Sequence, residues 1–389
     1  MGHYDVAVIG GGIIGLSISY FLLKKGKKVA LIEKNEIGWG ASGACDEMIL
    51  LQSKKPGILL GLAMESLEMY KYFTDKKAMD LGFENRGGMI FIENKEQYEI
   101  MEKFVDAQRK YGLDVEIIDK KEVFKRQPNV KKDIIASTYS KKDSQVYPFK
   151  VMRTFIQECL KMGLDIKRKI NIYDIEQKKD YWNIIFDNHT AVETQYVVNA
   201  AGAWAPDIGR LVGIDIPITP KRGQILITEQ IPPIGETNAW SAEYIAAKLN
   251  PDLMKNINER FRQLGIGFAF SQSSSGNCLI GSTRENVGYS KETTQEALKI
   301  IRDQTVKYFP ILANVHIIRS IAGLRPATPD GKAIMGEIEN RRGFFIAAGH
   351  EGDGIALAPV TGKIMAELIN GGDVYYNIEE LNLRRFSIA

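Results

Sequence analysis

The stretch YDVAVIGGGIIGLSISYFLLKKGKKVALIE, residues 4–33, decides the fold. Its apolar start, with VAVI at the centre, is typical of a buried parallel strand. The glycine run at residues 10–15 follows, and the next segment has helical apolar spacing and stops at Gly26, a frequent helix end signal. A second apolar strand then ends in Glu33. The order of these elements predicts a strand–helix–strand unit at the start of an α/β domain.

The glycines of this unit have the spacing G-x-G-x-x-G, and each has a physical role. Gly10 allows a tight turn, Gly12 lets the backbone approach a pyrophosphate, and Gly15 lets helix and strand pack closely. The helix N-terminus directs N–H groups and partial positive charge at the phosphates, and Glu33 is expected to accept hydrogen bonds from ribose hydroxyls. The unit predicts dinucleotide binding, although a glycine turn in a plain α/β domain remains the alternative. The motif alone does not separate FAD from NAD.

Three further glycine-rich stretches favour FAD. Residues 38–45 (GWGASGAC) are small, and Ser42 among them can bond a phosphate, although a surface loop is the alternative interpretation there. Residues 200–204 (AAGAW) follow an apolar strand that is expected in the same sheet as the first strand. Residues 349–354 (GHEGDG) follow a second apolar strand, more than 300 residues after the first unit, and a helix is expected to begin near Pro359. A nicotinamide enzyme does not need this last loop. A flavin ring does, because its backbone cradle is separate from that of the adenosine.

Composition excludes several other classes. The chain has 389 residues, 44% hydrophobic, with a net charge of +3, which argues against a nucleic-acid binder. Its three cysteines, Cys45, Cys159 and Cys278, are far apart and form no CxxC motif. Neither a disulfide framework nor an iron–sulfur cluster is therefore expected, and no metal site is predicted. The sequence contains no apolar run long enough for a transmembrane helix and no signal-peptide pattern, so a cytoplasmic location is expected.

Four motifs together resemble one known family. They are GGGIIG at 10–15 with Glu33, AAGAW at 200–204, GLRPATPDG at 323–331 and AAGHEGDGI at 347–355. The sequence resembles the D-amino-acid oxidase superfamily of FAD enzymes, and within it glycine oxidase and the flavin β-subunits of amine dehydrogenase and hydrogen cyanide synthase type. Residues 45–57 (CDEMILLQSKKPG) are similar to the last group.

The resemblance implies an α/β fold with two interleaved domains. A Rossmann-like FAD-binding domain of glutathione-reductase type is expected over residues 1–85, 145–215 and 316–389. A mixed-sheet α+β substrate-binding domain is expected over residues 86–144 and 216–315.

Site residues follow from the same resemblance, position by position. The expected FAD-binding residues are Gly10, Gly12, Ile13, Ile14, Gly15, Glu33, Lys34, Ala41, Ser42, Gly43, Ala44, Asp46, Glu47, Met48, Ile172, Ala201, Gly202, Trp204, Gly349, His350, Glu351, Gly352, Asp353, Gly354 and Ile355. Arg325 of GLRP matches the family's carboxylate-binding arginine, a role that suits a guanidinium fork on physical grounds as well. Tyr244 is expected to form part of the pocket wall, and Arg325 and Tyr244 are the two predicted catalytic residues.

Two positions depart from the family pattern. Some members attach the flavin to a cysteine just before the arginine, where this chain has Gly323, so non-covalent FAD is expected. Glycine oxidase has a second basic residue in its last glycine loop, where this chain has Gly352. Because of that difference, the substrate preference of glycine oxidase is not carried over directly to this chain.

The function predicted on this basis is FAD-dependent oxidation of a small amino acid or secondary amine of the proline, hydroxyproline, sarcosine or glycine type. An FAD-dependent 2-hydroxy-acid dehydrogenase and a non-catalytic flavin subunit are the alternatives. Since the chain has no iron–sulfur ligands of its own, electrons are expected to leave to oxygen or to electron-transfer subunits carrying iron–sulfur or FMN. An oligomeric assembly is also expected.

Overall fold

The computed structural model describes residues 2–243, 245 and 259–386. Its strands, in chain order, are β1 Gly2–Ile9, β2 Val29–Glu33, β3 Met48–Ile49, β4 Gly88–Ile92, β5 Glu116–Asp119, β6 Ala136–Ser140, β7 Ser144–Gln145, β8 Asp165–Arg168, β9 Ile172–Gln177, β10 Trp182–Phe186, β11 Ala191–Asn199, β12 Thr219–Gln230, β13 Asn238–Ser241, β14 Ala269–Gln272, β15 Asn277–Gly281, β16 Ile317–Ala327, β17 Ile334–Glu337 and β18 Phe344–Ala348. Its α-helices are α1 Ile13–Lys24, α2 Ile58–Asp75, α3 Lys95–Tyr111, α4 Lys120–Arg126, α5 Pro148–Lys161, α6 Ala205–Leu211, α7 Glu259–Leu264, α8 Gln295–Tyr308 and α9 Gly354–Ile369.

The first sheet has the order β17-β18-β11-β1-β2-β8, with β10 and β9 adding an antiparallel extension beside β11. Strands β18, β11, β1, β2 and β8 pair in parallel, so their carboxyl ends meet at one edge. The prediction that β11 lies in the same sheet as β1 is confirmed. Helices α1, α2, α5 and α9 contribute to the apolar core on one face, where Val6, Val8 and Leu16 are fully buried.

The second sheet has the order β16-β12-β15-β14-β13-β4-β6-β5, and it is mixed because β13 pairs with β4 in parallel while its other pairs are antiparallel. Aromatic side chains of β4, β14 and α8 fill its core, with Phe270 and Phe309 packed 4.7 Å apart between ring centroids. The fold is therefore the predicted α/β architecture, a Rossmann-like sheet with a mixed-sheet α+β partner.

The predicted domain boundaries stay a proposal, and the strand pairing bears on one of them. Residues from 316 onward were assigned to the FAD-binding domain. Strand β16, Ile317–Ala327, however, pairs along its length with β12 in the second sheet. We propose that the boundary falls after Ala327.

Two local predictions were wrong in part. The polar run at residues 235–263 predicts a helix, but Asn238–Ser241 forms strand β13, since it completes the sheet between β4 and β14. Helix α7 from Glu259 agrees with that prediction, and residues 246–258 lie outside the described residues. The last helix was expected to begin near Pro359, but α9 begins at Gly354 and contains that proline. Pro359 lacks the N–H that would bond to the carbonyl of Ile355, and the Tyr70 hydroxyl donates to this carbonyl instead, at 2.7 Å.

None of the helices described is long and apolar enough to cross a membrane.

Candidate functional site

A continuous cavity of about 580 Å³ lies where the carboxyl ends of the first sheet face the second sheet. Its wall has two parts. The nucleotide half contains Ile9–Ile14 without Gly11, Ile32–Asn35, and the loops around Ser42 and Gly202. The substrate half contains Asp46, Trp240, Phe268, Arg284 and Arg325. The volume lies within the range of cofactor clefts, about 300–1,000 Å³.

The glycine turn of the nucleotide half depends on the absence of side chains. Gly10 has φ +116°, and a Cβ there would overlap the carbonyl oxygen of Ala200. A Cβ on Gly15 would overlap the carbonyl oxygen of Gly10, so the helix and the turn touch at this point. Helix α1 begins directly after Gly12, and its N-terminus faces the cavity where a pyrophosphate would be favoured.

Glu33 is anchored at the end of β2 by two backbone amides. Its Oε2 accepts from the N–H of Gly11 at 2.7 Å, and its Oε1 accepts from the N–H of Asn35 at 2.7 Å. Each carboxylate oxygen has further lone-pair capacity. The carboxylate is therefore held at the cavity wall in a fixed position for ribose hydroxyls.

The small-residue stretch folds over the glycine turn. Residues Ala41–Gly43 form a 3₁₀ turn, and the Ser42 hydroxyl accepts a hydrogen bond from the N–H of Ile13 at 3.0 Å. Ser42 was predicted to bond a phosphate. The structure shows its hydroxyl bonded to the first turn of α1, at the end of the helix that faces the cavity.

The second glycine loop joins the two halves. His350, Glu351, Gly352 and Asp353 line the cavity immediately before α9. The His350 ring is buried, with Nε2 at 3.1 Å from the hydroxyl of Thr361, and burial lowers the pKa of this histidine to about 4. His350 is therefore neutral at physiological pH.

Arg325 is held in place by hydrogen bonds to two consecutive residues that follow strand β15. Its Nη1 donates to the carbonyl of Thr283 at 2.9 Å, and its Nη2 donates to the Ser282 hydroxyl at 2.7 Å. Gly223, on the paired strand β12, leaves room for the guanidinium, since a Cβ there would overlap it. The arginine is thus fixed at the wall of the substrate half.

A second arginine and a partly buried carboxylate lie in the same half. Arg284 follows strand β15 and lines the cavity, as does Asp46. Burial raises the pKa of Asp46 above its ordinary value, while the nearby guanidinium groups of Arg325 and Arg284 act in the opposite direction. The remaining wall is mainly apolar, with Leu50, Trp240, Ile245 and Phe268.

Most of the predicted cofactor residues lie on this wall. They are Gly10, Gly12, Ile13, Ile14, Glu33, Lys34, Ala41, Ser42, Ala44, Asp46, Met48, Ile172, Ala201, Gly202, Trp204, His350, Glu351, Gly352, Asp353, Gly354 and Ile355. Arg325 of the predicted catalytic pair is on the wall as well. Its partner in that prediction, Tyr244, lies outside the described residues.

Four predicted residues are not part of the wall, and each has a structural position instead. Gly15 packs on the Gly10 carbonyl, and Gly43 packs on the Gly38 carbonyl. Gly349 has φ +77° and lies against Thr328. Glu47 has φ +68° and a buried side chain, and burial together with Asp46 raises its pKa to about 7.

Sequence reasoning missed the side chains of the substrate half other than Arg325 and Asp46. Arg284, Trp240 and Phe268 lie at the ends of strands in the second sheet, which share no motif along the chain. One signal was available for Arg284, because this basic residue lies two positions after the apolar strand CLIGS, residues 278–282.

The cavity fits FAD on its own geometry. A glycine turn with no room for a Cβ, a helix N-terminus and an anchored carboxylate would provide the adenosine and pyrophosphate contacts. The second loop and the start of helix α9 would provide a backbone cradle for the ring. A side chain at Gly323 would lie 2.7 Å from the Ala44 carbonyl, so the wall has no space for a linking cysteine there. Cys45 is near the cavity, but burial raises its thiol pKa to about 12.

Comparisons with known proteins agree with this geometry. The chain matches the family model described as DAO, FAD dependent oxidoreductase, over residues 5–368. Hydrogen cyanide synthase subunit HcnC of Pseudomonas protegens is 27% identical, covering 100% of this chain and 97% of the relative. A glycine oxidase of Bacillus licheniformis is 28% identical, covering 96% of this chain and 94% of the relative. The crystal structure of L-proline dehydrogenase from P. horikoshii has a TM-score of 0.88 at 26% identity, covering 99% and 98% of the two chains.

Proposed function

The chain belongs to the DAO family of FAD-dependent oxidoreductases, and on this premise we propose that it oxidises a small amino acid or secondary amine at Cα. Relatives named glycine oxidase and L-proline dehydrogenase act on substrates of this class. The observation that carries the proposal is the fixed guanidinium of Arg325 at the wall beside the second glycine loop.

Arg325 provides the orientation that the reaction needs. Two hydrogen bonds to Thr283 and Ser282 fix its plane, which prepares the guanidinium to bind a substrate carboxylate. Gly352 lies directly beside it, with an added Cβ placed 3.7 Å from its Nε. A carboxylate on Arg325 would therefore hold the adjacent Cα next to the loop that cradles the ring.

Bound FAD would accept a hydride from Cα at its ring N5, and the residues of the chain supply position and environment. The apolar side chains of Trp240, Phe268 and Ile245 keep water from the amine and favour its neutral form. Neutral His350 supports the loop through Thr361 and carries no charge to the site. Correct positioning of the substrate Cα against the flavin ring supplies most of the rate enhancement. The sequence motifs accordingly contain no pair of a general base and a nucleophile.

We also propose that the FAD is bound non-covalently and that electrons leave to a partner protein or to oxygen. The crowding of Gly323 against Ala44 and the protonated thiol of Cys45 support the first point. The name of HcnC, a synthase subunit, supports the second. Acid precipitation should release the flavin into the supernatant, whereas a covalent flavin would stay with the pellet.

The test of the substrate class is anaerobic bleaching of the bound flavin, followed at its visible absorbance. Proline, hydroxyproline, sarcosine and glycine form one panel, and lactate and glycolate form the other. We expect at least one amine to bleach the flavin and the hydroxy acids to leave it oxidised. Bleaching by hydroxy acids alone would establish the 2-hydroxy-acid alternative, and no bleaching by either panel would favour a non-catalytic subunit. Reoxidation by air against a dye then identifies the acceptor.

A further inference from the structure

The segment Gln52–Gly57 (QSKKPG) contains a buried charge that the proposed function leaves unused. The Lys54 side chain is only 3% exposed, whereas its neighbour Lys55 is exposed to solvent. A buried ammonium group is costly unless it is paired and hydrogen-bonded. Lys54 therefore needs a structural or chemical reason for its position.

The contacts of Lys54 connect it to the second glycine loop. Its ammonium group donates to the carbonyl of Leu50 at 2.7 Å and to Oδ1 of Asp353 at 2.8 Å. The amide of Gln108 donates to the carbonyls of Gln52 and Lys54, at 2.8 Å each, and fixes the segment from behind. The ammonium group is thus held at one place against Asp353.

Asp353 occupies a sensitive position. It directly precedes helix α9 and lines the cavity, and it is the neighbour of Gly352, which lies against Arg325. A flavin ring that reacts with a carboxylate-bound substrate must lie close to this loop. This placement of the ring rests on the proposed function.

Reduction adds negative charge to a flavin ring, so nearby fixed charges change its equilibrium. The carboxylate of Asp353 would oppose the added charge, and the ammonium group of Lys54, 2.8 Å from its Oδ1, offsets this opposition. Lys54 is the buried member of the pair, with 3% of its side chain exposed against 34% for Asp353. We propose that Lys54 is a positioning residue that, through Asp353, raises the reduction potential of the bound FAD.

The test measures the potential of the holoenzyme at pH 8 by equilibration with a reference dye, with no amine present. We expect Lys54→Met to lower the equilibrium constant for two-electron reduction about tenfold, which corresponds to about 30 mV. Lys55→Met is the matched control, with the same change at an exposed neighbour, and should leave the potential unchanged. An unchanged potential in FAD-bound Lys54→Met would overturn the proposal.

Two further variants separate charge from folding. Lys54→Arg keeps the charge and should keep the wild-type potential. Lys54→Met/Asp353→Asn removes both charges, and we expect its equilibrium constant to return to within about twofold of the wild type. If the double variant stays as low as Lys54→Met, the effect is structural and the proposal fails. Because no substrate is used, failure here is distinct from failure of the amine assignment, which the bleaching panel tests.

Discussion

The nucleotide half and the substrate half of the cavity differ in the parts of the chain that form their walls. The nucleotide half is shaped mainly by the backbone, with Glu33 and Ser42 adding side-chain contacts, and it depends on the absence of side chains at Gly10 and Gly15. In the substrate half the contacts come from long side chains, Arg325, Arg284 and Trp240, on strands far apart in the chain. The geometry of the first half is therefore set locally along the chain, whereas that of the second depends on individual side chains brought together by the fold.

The largest effect is expected in the backbone-built half, from Gly15→Ala. Alanine in a helix is ordinarily more favourable than glycine by about 1 kcal/mol. Here its Cβ would overlap the Gly10 carbonyl, and backbone cannot move aside cheaply. We expect a destabilisation of about 3 kcal/mol and loss of bound FAD, measured by thermal unfolding and by the flavin-to-protein absorbance ratio.

The matched control for this variant is Gly26→Ala, just beyond the other end of α1. Gly26 has no atom within 4 Å of an added Cβ, and only its φ of +77° opposes the change. We expect FAD to stay bound with a loss of stability near 1 kcal/mol. Equal flavin loss in both variants would show that close packing at Gly15 is not what the turn requires.

Arg325→Gln should give the next largest effect, because it removes the carboxylate-binding group of the substrate half and leaves the nucleotide half unchanged. Two charged hydrogen bonds to a carboxylate are worth roughly 3–4 kcal/mol, so kcat/KM for the reactive amino acid should fall about 10²–10³-fold. FAD should remain bound, since the nucleotide half is untouched. Arg319→Gln, at an exposed position of the same strand, serves as the control and should leave kinetics unchanged. Equal kinetics in the two variants would remove the carboxylate role.

The contrast between the halves also explains what the sequence predicted. The first strand–helix–strand unit and the second glycine loop were predictable because each lies within a few residues and glycine has a direct geometric meaning. Arg325 was predictable only through a family motif, and Asp46 in the same way.

The rest depended on tertiary pairing. Arg284 and Arg325 line the same cavity because β15 and β16 both pair with β12, and no local sequence pattern indicates this relationship between segments about 40 residues apart. Strand β13 was mistaken for helix for the same reason, since its extended form depends on β4 and β14 beside it. Helix α9 began earlier than predicted because Tyr70, from another helix, satisfies the carbonyl that Pro359 leaves without a donor.

Arg284→Met sharpens the comparison within the substrate half. The guanidinium lines the cavity near Arg325 and Asp46, so its removal should weaken the attraction for an anionic substrate. We expect kcat/KM to fall about tenfold, equivalent to about 1.4 kcal/mol, mainly through KM. Arg262→Met, at an exposed site on helix α7, is the control. A fall in kcat with KM unchanged would argue against a role in substrate binding.

The smallest effect is expected from Ser42→Ala, which removes one side-chain contact from the backbone-built half. The Ser42 hydroxyl accepts from the N–H of Ile13, and loss of such a helix-start hydrogen bond costs about 1 kcal/mol. We expect the FAD dissociation constant to rise about fivefold, measured by fluorescence titration of the apoprotein, with Ser275→Ala in an exposed turn as the control. A loss of FAD as complete as in Gly15→Ala would contradict the comparison, because it would mean that the nucleotide half depends on side chains as strongly as the substrate half does.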